Sequence, residues 1–312
     1  MLKIYKNVNN KEVVKLKNIQ KDSWIDLTTP TEEEIERVVK ATQIDKDLII
    51  KMLDEEERPR IETSNDSTLV VIDTPVLEFN NDKYEFTTYP IGIIISKNYL
   101  ITVSPKKLKM LNDFKHNRVK EFKTAKKTRF LIQILLKTAS MYQNALKGIN
   151  KNIELKEKVL KKSTQNKDLI DLLDIEKTLV YFITSLKAND LVLEKLNKGV
   201  VVKLFEGDLD LLEDAIIENK QAIEMSEIYR NILSSITGTY ATIVSNNMNN
   251  IMKFLAGMTI ILSVPTIISS FLGMNIPFPY VQNLDNASII LLLASIILSI
   301  IVAIILKIKD ML

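Results

Sequence analysis

The chain has no cysteine, one histidine, and only 7 glycines and 8 prolines in 312 residues. The missing thiols exclude disulfides, thiolate metal sites and cysteine nucleophiles. A single imidazole excludes a His-rich zinc centre built within one chain. Neither sign of charge dominates: 42 Lys+Arg against 39 Asp+Glu leaves +3. The chain therefore lacks the basic excess expected of a nucleic-acid partner. It has no P-loop glycines, no dinucleotide fingerprint and no nucleophile–base constellation. These absences predict neither an enzyme nor a resident cofactor. Met1–Val14 is charged and polar, which predicts no signal peptide.

The charges that are present crowd the first 253 residues. From Phe254 to Leu284 there is none. Phe254–Leu272 and Ala287–Leu306 are apolar runs of about 19 and about 20 residues, the length a helix needs to cross a bilayer core. The segment between them holds Pro277, Pro279, Asn283 and Asn286, turn chemistry that predicts a transmembrane hairpin. Lys253 precedes the first run, Lys307 and Lys309 follow the second, and the loop carries only Asp285. The positive-inside rule then places both termini in the cytoplasm of a multi-pass protein of the cell (inner or plasma) membrane.

The part before the membrane reads as two regions. In residues 1–125, Ser23–Leu27, Thr68–Thr74, Ile91–Ser96 and Tyr99–Ser104 are β-prone. Thr31 and Glu34 have capping-box spacing ahead of Ile35, Val38 and Val39. A short helix is expected to end at Pro59. This is an α/β domain. Residues 126–252 are helical. One helix with Phe130, Ile134, Ala139 and Tyr142 on a face runs toward Lys162, and Ser163–Lys167 is a turn. A second helix, Asp168–Asn197, carries Leu172, Ile175, Leu179 and Phe182, and the two are expected to form an antiparallel hairpin. A third helix begins near Leu209 and continues into the membrane as one rod of about 60 residues, near 90 Å. Such a rod suits force transmission or a passive stalk. The remaining boundaries are 253–273 for the first span, 274–286 for the loop, 287–307 for the second span and 308–312 for the tail.

Thr259, Ser263, Thr266 and Ser270 are spaced 4, 3, 4 and share one helix face. The same rhythm extends back through Ala256, Met252, Asn249 and Ser245. Two readings stand: a lining turned toward water, or hydroxyls bonded back to their own helix to let helices pack. One hairpin cannot enclose an aqueous path, so a lining requires several copies. The acidic set Glu206, Asp208, Asp210, Glu213 and Asp214 reads first as a helix start and second as a cation sensor. Lone His116 reads as a surface residue.

The first span ends Phe271-Leu-Gly-Met-Asn-Ile-Pro-Phe-Pro279. Gly273-Met274-Asn275, placed between two terminal spans and behind a long helix, resembles the CorA family of divalent-cation transporters. Met252-Lys-Phe-Leu255, Pro265-Thr266, Trp24-Ile-Asp-Leu27 and Glu57-Arg-Pro-Arg-Ile-Glu62 are similar to other family features, so the resemblance spans the chain. It implies a funnel-shaped homopentamer for Mg2+ influx, with Co2+ or Ni2+ often accepted. The partners it implies are further copies of the chain, the bilayer and divalent cations. It implies that Asn275 forms the outer selectivity ring, Thr266 a second polar ring, Met252 and Leu255 an apolar gate, and Asn249 a ring below. It implies Asp214 as a regulatory Mg2+ ligand. The rival within the class is efflux of Zn2+ or another cation, coupled to protons. Intramembrane carboxylate and His are absent, which favours a passive channel. The chain departs from the family pattern in having Leu272 before the Gly-Met-Asn and Gly238 where a regulatory carboxylate is expected.

Overall fold

A computed structural model of the chain describes residues 1–8, 12–64, 66–80, 83–160, 166–199, 202–274, 286–309 and 311. They form two compact units, Met1–Ser235 and Ile236–Leu312.

The first unit is built on a seven-stranded sheet. Its strands are β1 (Leu2–Val8), β2 (Glu12–Leu16), β3 (Trp24–Thr28), β4 (Arg60–Ser64), β5 (Ser67–Asn80), β6 (Lys83–Ser96) and β7 (Leu100–Ser104). The spatial order is β2-β1-β3-β7-β6-β5-β4, with β3 and β7 parallel and every other pair antiparallel. β3 and β7 are buried on both faces, and alternate residues divide between two cores. Ile25, Leu27, Ile101 and Val103 face helices α1 (Glu32–Thr42) and α2 (Lys46–Ile50), packing with Ile35, Val38 and Leu48. Trp24 and Leu100 join Phe114, Phe130 and Leu193 of α3 (Leu111–Lys115), α4 (Lys127–Leu160) and α5 (Asn166–Asn197) on the other face.

The capping box is formed: Glu34 N donates to Thr31 Oγ1 at 3.3 Å, and Thr31 N donates to Glu34 Oε2 at 3.1 Å. The helix expected to end at Pro59 stops earlier. α2 passes into a 3-10 turn, Lys51–Leu53, and Asp54 is already extended. The aspartate side chain accepts from Glu56 N at 3.0 Å, so a local side-chain turn ends the helix before proline can. β1, β2 and β4 went unread in the sequence. Each is short or half-exposed and has no long apolar run to mark it. The hairpin of α4 and α5 is antiparallel: Tyr142 meets Phe182 edge-on at 5.0 Å, and further along Lys156 pairs with Asp171. Asn166 and Lys167, expected in the turn, open α5. The rest of that turn lies outside the described residues.

A tryptophan anchors the helical face. Trp24 is fully buried among Tyr5, Phe114, Phe122 and Phe130, with centroids 5.0–6.5 Å away. Its Nε1 donates to Thr102 Oγ1 at 2.9 Å, Thr102 Oγ1 donates to Asp26 Oδ1 at 3.3 Å, and Lys115 Nζ lies 2.6 Å from Asp26 Oδ2. A buried carboxylate is tolerable when so paired and bonded. Burial, and secondarily the Asp26 charge, pushes the Tyr5 hydroxyl up to about 12.

Asp73 is held differently. Beyond the end of β4, its backbone N–H donates to Asn189 Oδ1 at 2.9 Å and its carbonyl accepts from Asn189 Nδ2 at 2.8 Å. The amide of α5 thus replaces the missing neighbouring strand. Ser185 Oγ donates to Asp73 Oδ2 at 2.7 Å, and no cation pairs with this carboxylate among the described residues. Burial pushes its carboxyl up to about 6, against the Ser185 hydrogen bond. The fully buried Tyr142 hydroxyl is raised as well, by burial and then by the Asp73 charge.

A raised folded value means that the ionised form is the costly one. The stability Asp73 contributes is complete below its unfolded value near 3.8 and is lost as pH rises through about 6. Asp73→Asn keeps an acceptor for Ser185 and carries no charge. Unfolding of the full chain in detergent should therefore show the variant more stable by about 1–3 kcal/mol near pH 8, with the gain vanishing near pH 4. An equal shift at both pH values would mean that the carboxylate is not destabilised by burial.

Candidate functional site

Helix α6 runs unbroken from Glu206 to Leu272, 67 residues, and so belongs to both units. Glu206 and Asp208 lie in its first turn, where they complement the exposed amides. Asp208 is also buried and paired with Arg129 at 3.3 Å. Both observations suit the helix-start reading of the acidic set. Asp214 is exposed on the same helix. Among the described residues no three His, Asp or Glu side chains converge as a metal-binding group. His116 Nδ1 lies 2.7 Å from Asn112 O at the end of α3.

The second unit contains the rest of α6 and helix α7 (Ala287–Ile308). Each supplies a stretch long and apolar enough to cross a membrane, and almost none of either stretch is buried. Among the α7 residues whose burial is described, Leu291, Ser295, Ser299, Val302, Ala303 and Leu306 are buried or half-buried. Their spacing puts them on one face. On the matching stretch of α6 the buried or half-buried residues are Gly257, Ile261, Ser263, Val264, Pro265 and Ile268; Gly257, Ile261, Val264 and Ile268 share one face, and Ser263 and Pro265 lie off it. These two faces are the more covered ones of the unit, and we read them as the seam of the hairpin; Gly257, Ser295, Ser299 and Ala303 are residues small enough to let helices approach in lipid. The sequence signal for the seam is the four-residue spacing of Ser295, Ser299 and Ala303.

The α6 stripe lies elsewhere on the helix. At about 100° per residue, Met252, Ala256, Thr259, Ser263, Thr266 and Ser270 centre roughly 150° from the seam. Asn249, Met252, Leu255, Ala256, Thr259, Thr266 and Ser270 are exposed, and Ser263 is half-buried. Met252 and Leu255 are each more than half exposed, at 58% and 53%. Three of the four hydroxyls bond back to their own helix. Thr259 Oγ1 donates to Leu255 O at 2.8 Å, Ser263 Oγ to Ile260 O at 2.7 Å, and Thr266 Oγ1 to Ser263 O at 2.8 Å. That uses the single proton of each of these hydroxyls and leaves its oxygen able to accept. Pro265 interrupts the backbone ladder within this stretch, having no N–H to give. Beyond Leu272, Gly273 N donates to Ser269 O at 2.9 Å and Met274 N to Phe271 O at 3.4 Å. Asn275 and the loop after it lie outside the described residues.

A large α/β unit whose last helix continues into a pair of apolar, membrane-length helices defines a class: membrane proteins with a two-helix terminal anchor and a long connecting helix. Within that class, the chain belongs to the CorA-like Mg2+ transporter family, whose profile matches residues 20–307. It is 30% identical to the cobalt/magnesium transport protein CorA of Methanocaldococcus jannaschii, over 84% of this chain and 82% of that one. The complete structure of the CorA magnesium transporter from the same organism superposes with a TM-score of 0.85 at 27% identity, covering 98% and 96% of the two chains. Full-length CmaX shares the fold at 15% identity, with a TM-score of 0.74 over 98% and 97% of the chains.

The seam makes a prediction independent of transport. Ser295→Leu forces a larger side chain into the packed face and should destabilise the hairpin by about 1–3 kcal/mol. Ala294→Leu, off that face, should stay within about 0.5 kcal/mol. Thermal unfolding in detergent reads the difference, and equal losses would dissolve the seam.

Proposed function

We propose that this chain conducts hydrated divalent cations, Mg2+ foremost, inward along the polar face of α6. Membership of the CorA-like family and the 30% identical cobalt/magnesium transporter support the ion class. The observation that carries the path is the position of the stripe, roughly 150° from the hairpin seam. A face that packed the hairpin would serve no other purpose; this one is free for further copies and water. Several copies must assemble to enclose it, and the family resemblance makes the number five.

The chemistry suits an ion that keeps its water. Mg2+ dehydrates reluctantly, and neutral oxygens touching its hydration shell hold it without trapping it. The hydroxyls of Thr259, Ser263 and Thr266 supply such oxygens. A ring of Asn275 side chains supplies the outer filter in this reading. Met252 and Leu255 supply an apolar ring that closes by dewetting. A potential of about 100 mV supplies roughly 4.6 kcal/mol for a divalent ion, so no nucleotide hydrolysis is needed. A regulatory cation at Asp214 would draw its other ligands from a neighbouring copy.

Two measurements test this. Asn275→Ala should cut Mg2+ flux into proteoliposomes at least tenfold without altering the assembly's size; wild-type flux would remove the filter. Single cysteines at positions 259, 263, 266 and 270 should react with water-soluble thiol reagents and block flux, while those at 261, 264 and 268 should not. The native chain has no cysteine to confuse the result. Uniform labelling around the helix would reduce the stripe to packing.

A further inference from the structure

A cleft of about 850 Å³ opens on the first unit, far in sequence from the membrane stretch. It lies where the start of α4, the start of α6 and the β6 end at Ser96 converge. Its size is that of a small-molecule site. Five cationic side chains line it, Lys97, Lys126, Lys127, Arg129 and Lys203, against two carboxylates, Asp66 and Asp208. This concentration is local, because the whole chain carries a net charge of only +3.

Ion pairs account for two of the five cations. Lys127 Nζ is 2.9 Å from Asp22 Oδ1, and Arg129 is held by Asp208 at 3.3 Å and Glu121 at 2.5 Å. Lys97, Lys126 and Lys203 are exposed and have no carboxylate partner among the described residues. The Nε of Arg129 is buried and has no acceptor. The first turn of α4 has no acidic residue and instead carries Lys127 and Arg129, opposite to what the helix dipole favours. A local conflict of this kind is expected at functional sites, and an anion would relieve it. Phe205 also lines the cleft, 57% exposed, with Lys203 Nζ 5.6 Å from its ring centroid. An exposed ring among cations can stack a base while the cations take phosphate.

We propose that this cleft binds a phosphate-bearing anion, with Lys97, Lys126 and Lys203 taking the phosphate and Phe205 the organic part when there is one. The site is separate from the α6 stripe and holds whether or not the stripe conducts. Its recognition differs from a phosphate loop, using side-chain ammonium groups where a loop uses glycine amides, so no sequence motif announces it.

The test is equilibrium binding to the full chain in detergent, with Mg2+-free ATP and inorganic phosphate as separate probes. Saturable binding of either, weakened at least tenfold by Lys126→Glu with Lys203→Glu, supports the site. Lys151→Glu with Lys158→Glu, the same charge change elsewhere on the unit, should leave it intact. Phe205→Ala should weaken ATP several-fold and phosphate not at all if a nucleotide is the ligand. Indifference to Phe205→Ala identifies free phosphate. Elution volume and unfolding temperature report folding, and Lys97→Gln provides a milder variant should the double change fail to fold. No saturable binding of either probe, or an equal loss in the control pair, overturns the proposal.

Discussion

One helix has to be stable in two solvents, and the rest of the structure follows from how it meets that demand. In its first turns α6 buries Leu212 and Ala215 in the core beneath the sheet, so water provides the driving force. Past Lys253 it has no charge and little burial, and there backbone hydrogen bonding is the governing constraint. In a bilayer every N–H and C=O must be satisfied within the segment, and a continuous helix does this at any length. The same helix therefore serves both units. Within the helix, Gly238 and Gly257 lack a side chain and Pro265 lacks an N–H, so these positions support the helical backbone least.

The sheet positions the start of that helix. Its central strands are buried on both faces, with helices packed onto each side. The polar chain from Trp24 through Thr102 and Asp26 to Lys115 then pins α3 to the sheet. Around Asp73 the arrangement is less settled: a largely buried carboxylate has a hydroxyl partner, Ser185, but no cation among the described residues, while the Asn189 amide bonds the backbone beside it. Its charge acts on the fully buried Tyr142 of α4, while Ser185 and Asn189 of α5 hold it. Ionisation there is felt by both helices of the hairpin at once.

Polar groups do different work in the two units. In the first they satisfy buried backbone and charge. In the second, hydroxyls of α6 donate to their own helix and remain able to accept. The serines of α7 donate to theirs and lie in the seam. The residue types are the same, and only the face distinguishes a packing group from one open to a partner.

The sequence alone determined the membrane-length runs, the long helices, the capping box at Thr31 and the family. These rest on composition, periodicity and short-range chemistry. The stripe on α6 was also legible, because helical spacing is a local property. Tertiary structure decided the rest. One local feature also showed only in the structure: the 3-10 turn after α2 ends at Leu53, ahead of the Asp54 turn and well before Pro59. The partnership of Asp73 with Ser185 and Asn189 joins residues more than a hundred positions apart, and nothing local signals it. The cleft gathers Lys97, Lys126 and Lys203 from three separate segments. That the stripe turns away from the seam required knowing which face α7 covers, and a helix period does not say which of its faces will be buried.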